Sequence, residues 1–367
     1  MMTQRQIADA LGLSCATVAN ILSGNPRLRY SKETRDRVIK AAAEMGYQQN
    51  RASRVIRTGR SNLVGIVHFG SDIEAARRSH SALSKYCHEA GFQYYGVDMT
   101  WHAGSVDRTL SELIQARVEG VIIAHVQEVF QDKHIEILHK AGIPVVSLNG
   151  EKRKNVPLVC DNIDKAFYEL THHLLRIGHR QILHLLPGDA LHFRTRGMRA
   201  KGFVRAIKEV GKLKTLTEEE FFSRKLPRTR KGSGITGYLI EQDPKLYDSV
   251  DKPVYRFCKQ LFSKGILPDA IMCPNDMYAI EAILAGLECG IRVPDDIAVT
   301  GYDNDRLGAY PAFGLTTAEQ DVERLCATAV STLQEWIKKR LLGKDADTQT
   351  YDSKIIIRTS CGVKCHS

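Results

Sequence analysis

Ala16 and Asn20 stand four residues apart in the segment SCATVANIL, a spacing that puts them on one face of a helix. An asparagine amide can donate to and accept from an adenine edge at once, and an alanine methyl can meet the methyl of thymine. These are side chains fit to read bases. Cys15 and Ala19 border the same face, and Thr3, Ser14, Thr17, Ser23, Arg27 and Arg29 lie around it. Hydroxyls and guanidiniums there suit phosphate oxygens, which fix register without reading sequence. A solvated face on a protein-interaction module is the competing reading. The charge distribution favours DNA. Residues 1–60 hold eleven Lys and Arg against four Asp and Glu, and the rest of the chain supplies only three of the net charge of +10. A strongly basic module on a nearly balanced body is the footprint of a nucleic-acid binder.

A second constellation follows at NRASRVIR, residues 50–57. Asn50 can cap a short helix, and Arg51, Arg54 and Arg57 recur every three residues on a face suited to phosphates. Ile56 is apolar in this basic run, and it would suit a wedge between base steps in the minor groove. A flexible basic linker fits the same residues, and the two readings merge if the segment folds on DNA. Polar residues also follow several strand-like runs: Asn149 after PVVSL, Asp276 after AIMC, and Asp303 after IAVTGY. Positions beyond strand ends are where open α/β sheets bind ligands.

The elements that must hold these residues can be read from periodicity and punctuation. Thr3 caps a helix to about Leu11, with Ile7, Ala10 and Leu11 inward; Gly12 supplies the turn. Ser14 caps a second helix with Val18, Ile21 and Leu22 inward, and small Ala8 lets the two approach. This is a helix-turn-helix. A third helix starts at Ser31, buries Val38, Ala41, Ala42 and Met45, and ends at Gly46. From residue 61 the rhythm changes. Apolar runs at 63–67, 120–124, 144–148, 182–186, 270–273, 297–302 and 354–358 read as buried strands, and most of the intervals between them can hold a crossover helix. That is the βαβ pattern of parallel sheets flanked by helices.

Composition sets the outer bounds. With 367 residues, 43% hydrophobic and 26% charged, the chain has material for two or three globular domains. No apolar run approaches the roughly 20 residues that span a bilayer. The start MMTQRQIADALGLS is polar where a secretory leader has its apolar core, so a cytoplasmic protein is expected. Nine scattered cysteines, several in apolar runs (Cys87, Cys258, Cys273, Cys326), read as buried reduced thiols. Cys361, Cys365 and His366 match no strong zinc template, so neither metal nor cofactor is expected.

The stretch MTQRQIADALGLSCATVANILSG, then SKETRDRVIKAAAEMGYQQNRASRVIRTGRSNLVGIV, closely resembles the start of LacI/GalR-family repressors. AGIPVVSLN, RIGHRQILHL, RGMRAKGFVRAI, LPDAIMCPNDMYAIEAILAGLECGIRVPDDIAVTGYDN and LTTAEQDVERL resemble that family's effector domain. The resemblance implies an N-terminal all-α helix-turn-helix domain at 1–49 and a hinge helix or linker at 50–60. It further implies an effector-binding and dimerisation domain at 61–367, an α/β periplasmic-binding-protein-like fold of two lobes. The charged, glycine-rich stretch near 213–250 matches poorly and reads as an insertion forming surface loops, with at most a short added element. By resemblance Ile56 stands where the family inserts a leucine into the minor groove, Asp276 in its Asn-Asp motif, and Arg199 upstream of its Gly-Phe. His68, Ser71, His125, Phe193 and Asp303 are further effector-site candidates. The chain departs from the family at Gln49, where proline is usual, at β-branched Ile56, and at Ala19-Asn20, where Ser-Arg is frequent.

The function expected is therefore a sequence-specific transcription regulator and repressor, a homodimer on a pseudo-palindromic duplex. Its operator affinity would be set by a small ligand, a sugar or related metabolite, between the lobes. The rivals are a periplasmic-type solute-binding protein and an α/β enzyme with an appended basic module. No Gly-Lys-Ser/Thr phosphate loop, His-Glu-x-x-His or Gly-x-Ser-x-Gly motif is present, and Gly232-Ser233-Gly234 has no strand–helix context. An enzyme is not expected.

Overall fold

The structure is a computed structural model that describes residues 2–22, 29–47, 59–69, 74–99, 104–124, 130–150, 152–186, 193–223, 234–241, 252–342 and 346–362. It divides into two compact units, Met1–Leu63 and Val64–Ser367.

In the first unit, α1 (Gln4–Leu11) opens with a reciprocal capping box. The Thr3 hydroxyl accepts from the Gln6 N–H, and the Gln6 side chain accepts from the Thr3 N–H at 2.9 Å. Gly12 ends the helix at φ 65°, a conformation that glycine reaches without strain. Ser14 then caps α2 (Cys15–Leu22) by accepting from the Thr17 N–H at 3.1 Å. Ser31 caps α3 (Lys32–Glu44) in the same way through Thr34. Ile7, Ala8, Val18, Ile21, Val38 and Ala42 from the three helices are buried together. Each large member contributes about 1.5–3 kcal/mol by leaving water.

The second unit carries two parallel sheets. In the first sheet the order is β12-β5-β4-β3-β1-β2, formed by β1 (Leu63–Phe69), β2 (Gln93–Met99), β3 (Gly120–Ala124), β4 (Val145–Leu148), β5 (Leu158–Asp161) and β12 (Thr348–Tyr351). Between them run α4 (Glu74–Glu89), α5 (Gly104–Gln115) and α6 (Asp132–Lys140). In the second the order is β10-β9-β6-β8-β7, formed by β6 (Gln181–Leu186), β7 (Lys212–Thr217), β8 (Thr236–Glu241), β9 (Ala270–Met272) and β10 (Ala298–Thr300). Its helices are α7 (Ile163–Arg176), α8 (Phe193–Val210), α9 (Glu218–Phe222), α10 (Pro253–Ser263) and α11 (Asp276–Glu288). β11 (Thr317–Glu319) pairs antiparallel with β13 (Lys354–Ile356), and α12 (Val322–Lys339) returns to pack on the first sheet. Among the described residues the chain passes between the lobes at Asn162, at Gln320-Asp321 and at Asp352-Ser353.

Three expectations are corrected. The described parts of 213–250 are not surface loops: β7 and β8 are parallel strands of the second sheet, and β8 lies between β6 and β7. Leu216, Phe221, Tyr238 and Ile240 from this stretch are core residues, so its apolar positions outweigh its charge. Of the run 354–358 only Lys354–Ile356 is strand, short, antiparallel and half-exposed, with Ile355 packed against the core beneath it. Only Ala298–Thr300 of 297–302 is strand; Ile297 leads into it, and Gly301 and Tyr302 begin the strand-end loop. The cysteines fall as read: Cys87, Cys258, Cys273 and Cys326 are buried, and burial pushes the Cys87 and Cys326 thiols up to about 12. Among the described residues, no helix is long and apolar enough to cross a membrane.

Candidate functional site

On α2 the side chains of Cys15 and Ala16 are exposed, and Thr17, Ala19 and Asn20 are half-buried. Arg29, just before α3, is exposed as well. Thr3, Ser14 and Thr17 are engaged in capping, and the Ser14 and Thr17 hydroxyls lie 2.9 Å apart. They fix the two helix starts while remaining at the surface, which suits groups that set a helix on a phosphate backbone. Asn20 differs from its expected form. Its amide is not a free surface group, because Nδ2 donates to the Tyr30 hydroxyl at 3.3 Å. Tyr30 was not singled out by sequence; its signal was an aromatic placed one residue before the Ser31 cap. Asn50, Arg51, Arg54, Ile56, Ser71 and His125 lie outside the described residues, and Phe193 is described only as the first residue of α8.

The second candidate site lies at the C-terminal ends of strands from both sheets. Asn149 follows β4 with φ 50°, and its N–H donates to Val159. Its side chain donates to Gln320 Oε1 at 3.4 Å and accepts from the Asp161 N–H at 3.2 Å. Gln320 in turn donates to Asp303 Oδ1 at 2.6 Å. Gln320 sits in one crossing, so this chain of bonds joins the first lobe to the loop after β10. The Tyr302 hydroxyl, in the same loop, donates to Asp161, and its ring stacks on Phe167 at 5.5 Å. The Arg199 guanidinium lies over both rings, 5.4 Å from Tyr302 and 5.9 Å from Phe167. Arg78 of α4 reaches across and donates to the Asp303 carbonyl at 3.0 Å.

Asp276 is fully buried, and both of its oxygens accept hydrogen bonds, from Thr317 at 2.6 Å and from the Asp305 N–H at 2.7 Å. Asn275, not Asp276, caps α11. A Cβ on Gly301 would overlap Asp276 Oδ1, so a glycine is what admits the carboxyl to this corner. Burial outweighs the two hydrogen bonds and pushes this carboxyl up to about 8. Burial also raises Asp303 well above the usual carboxylate range, with Asp305 close by adding to the shift. Asp305 is raised to about 6 by burial and by Glu74. His184 on β6 donates from Nδ1 to the Met272 carbonyl at 3.0 Å and packs its ring against Phe167 and Phe203. Burial drops it to about 4, so it is a neutral core imidazole at pH 7.

Arg199, Asn149 and Asp303 are thus brought together, and Asp276 sits behind them. His68, near the end of β1, lies 4.0 Å from Asp98, and its ring packs at a tilt against that of His80 at 4.5 Å.

Family comparison matches residues 3–50 to "Bacterial regulatory proteins, lacI family". Residues 80–221 match "Periplasmic binding proteins and sugar binding domain of LacI family", and residues 171–361 match the "Periplasmic binding protein-like domain". The chain belongs to the LacI/GalR family. It is a DNA-binding transcription regulator with a small-molecule-binding body of two α/β lobes. Curated relatives include the "HTH-type transcriptional repressor PurR" of Erwinia tasmaniensis, 28% identical over 96% of this chain and 94% of that protein. The PurR of Pasteurella multocida is 25% identical over 93% of each. Among solved structures, the Lac repressor dimer bound to operator and the anti-inducer ONPF shares the fold, with a TM-score of 0.78 and 21% identity over 98% of this chain and 99% of that one. The CelR–cellobiose complex gives a TM-score of 0.64 at 20% identity, over 98% and 100%.

In this LacI/GalR chain, Gln320, Tyr302, Asp161, Thr317 and Arg78 are the site residues that sequence reading missed. Asp161 carried the signal that found Asn149, a polar residue at the end of a buried apolar run, whereas Gln320 follows the mixed run LTTAE.

Proposed function

We propose that this regulator is a repressor that acts as a homodimer, with α2 of each copy in the major groove of a pseudo-palindromic operator. A small polar metabolite, most simply a sugar as in the CelR–cellobiose complex, binds between the lobes and changes the grip on DNA. The observation that carries the reading is the Asn149–Gln320–Asp303 chain of hydrogen bonds. It ties strand ends of both lobes to a crossing, so a ligand competing for these groups must shift the lobes against each other. A second copy of the chain would cover α11, where Met277, Leu284 and Leu287 are 45%, 42% and 74% exposed on one side of the helix. Asn149, Arg199 and Asp303 are the effector contacts proposed, with Asp276 bracing their loop. Cys15, Ala16, Asn20 and Arg29 are the DNA contacts proposed, joined by Thr3, Ser14 and Thr17 on phosphates and by the 50–57 segment at the hinge. The test pairs an operator selected from a randomised duplex library with a salt titration, and a thermal-shift screen of sugars, sugar acids and nucleobases. Tight selected binding with a steep salt slope, altered by a compound that also raises Tm, is expected. Binding without sequence preference would sink the regulator reading.

A further inference from the structure

We propose that Arg78 is a positioning residue for the effector site, through which the first lobe holds the Asp303-Asn304 turn in a strained conformation. This rests on Asp303 as an effector contact. The turn follows β10 in the second lobe, with φ 111° at Asp303 and 52° at Asn304. Asparagine tolerates the left-handed well, but 111° at an aspartate lies outside it. A backbone outlier of this kind costs about 1–3 kcal/mol and persists where its surroundings over-determine it.

Those surroundings come from both lobes. From the second lobe and its crossings, the Asp303 N–H donates to the Ala318 carbonyl at 2.8 Å, Gln320 donates to Asp303 Oδ1, and Arg358 Nη2 donates to Asn304 Oδ1 at 2.7 Å. The two carbonyls of the turn are taken by α4 of the first lobe. Arg78 Nη1 donates to the Asp303 carbonyl at 3.0 Å and, more weakly, to the Asn304 carbonyl at 3.5 Å. One turn earlier on the same face of α4, Glu74 accepts from the Arg306 N–H at 3.3 Å. Bonds from a guanidinium are charge-assisted and stronger than neutral ones. α4 buries Ala82, Leu83 and Cys87 in the core of the first lobe, so Arg78 travels with that lobe. A shift of the lobe withdraws the guanidinium, the turn relaxes, and the Asp303 carboxyl leaves its place. By reciprocity, a compound held by Asp303 favours the lobe arrangement in which Arg78 reaches the turn.

The test is amide hydrogen exchange on the full-length protein without added compound. It compares wild type, Arg78→Met, Arg78→Lys, Asp303→Gly and the double variant. Arg78 is half-buried, and methionine keeps most of its apolar stem. Loss of the charge-assisted bonds should raise exchange in the 301–307 peptide about 10-fold in Arg78→Met. Arg78→Lys keeps the charge without the planar fork and should fall between. Exchange in α4 and β6, and Tm, stay at wild-type values. Glycine adopts positive φ without strain, so in the Asp303→Gly background the turn needs no holding and Arg78→Met should change exchange by less than about 2-fold. Unchanged exchange at 301–307 in Arg78→Met would overturn the proposal. So would an equal effect in the Asp303→Gly background, or a rise spread over both lobes with a lowered Tm, since either makes Arg78 a packing residue. The effector contact is read separately: Asp303→Gly should lose the thermal-shift response to sugars, sugar acids and nucleobases. If the exchange results hold but that response is intact, Arg78 holds a turn that the effector does not touch, and its role in the site is refuted.

Discussion

Asp276 shows how a motif residue can be central without touching solvent. Its carboxyl is buried behind Gly301, accepts from Thr317 and the Asp305 N–H, and titrates near 8 rather than at its ordinary 3.8. In the unfolded chain it is ionised above pH 4, whereas in the native state it keeps its proton to about pH 8. Between those values the native state holds the extra proton, so stability falls as pH rises, by up to roughly 1.4 kcal/mol per pH unit for a full proton. Asp305, raised to about 6, steepens the slope only below pH 6. Asp276→Asn cannot titrate, and its amide nitrogen can face the Thr317 hydroxyl, which rotates to accept. The stability gap between wild type and Asp276→Asn should therefore shift by about 2.6 kcal/mol in favour of the variant between pH 5 and pH 7. Thermal unfolding across that range measures it, and parallel pH profiles for the two proteins would refute the assignment.

At the scale of elements, the pair α7–α8 depends on Gly202. A Cβ there would overlap the Asp164 carbonyl oxygen and lie 2.8 Å from the Tyr168 nitrogen, so the two helix backbones meet at this glycine. Gly202→Ala should cost about 1–3 kcal/mol, read from the urea midpoint, because backbone rather than a flexible side chain must yield. A neutral substitution would mean that α8 can slide. Sequence reading located Gly202 through a motif but not its role, since a helix crossing joins residues about forty apart. It read the caps of the head well, since Thr3, Gly12, Ser14 and Ser31 act within one or two turns, where local chemistry decides, but it turned Ala10 inward where it is exposed. It mistook β7 and β8 for loops because their partners, β6 and each other, are set by distant pairing and their flanks are charged. The strand-end rule found Asn149, Asp276 and Asp303. The Gln320 bridge stayed hidden because its meaning comes from which lobes the chain is crossing.

For the whole molecule, the crossings let two lobes move as bodies, and the polar groups at those crossings set the rest position. Gln320→Ala removes a partner from both Asn149 and Asp303 in a buried setting, which should cost about 1–3 kcal/mol by chemical denaturation. An unaltered midpoint would show that water replaces the bridge. The pseudo-palindromic operator proposed above adds a demand that no single copy meets, because one head would span only half of it. The surface proposed to answer it is α11. Its inward residues Ala279, Ile280, Ala282 and Ile283 are buried in the lobe, yet Met277, Leu284 and Leu287 face outward, so the helix is apolar on two sides. A helix apolar all round belongs in an interior, and the dimer proposed above makes a second copy the missing half of that interior. Charged groups at its centre would be buried unpaired on both copies at once, since a two-fold interface repeats every change. Leu284→Asp with Leu287→Asp should leave a folded chain, as both side chains are exposed, but shift it from dimer to monomer in analytical ultracentrifugation. Operator affinity should then drop at least tenfold while the thermal-shift response to effector persists in the isolated body. A double variant that still sediments as a dimer would move the interface to another face of the molecule.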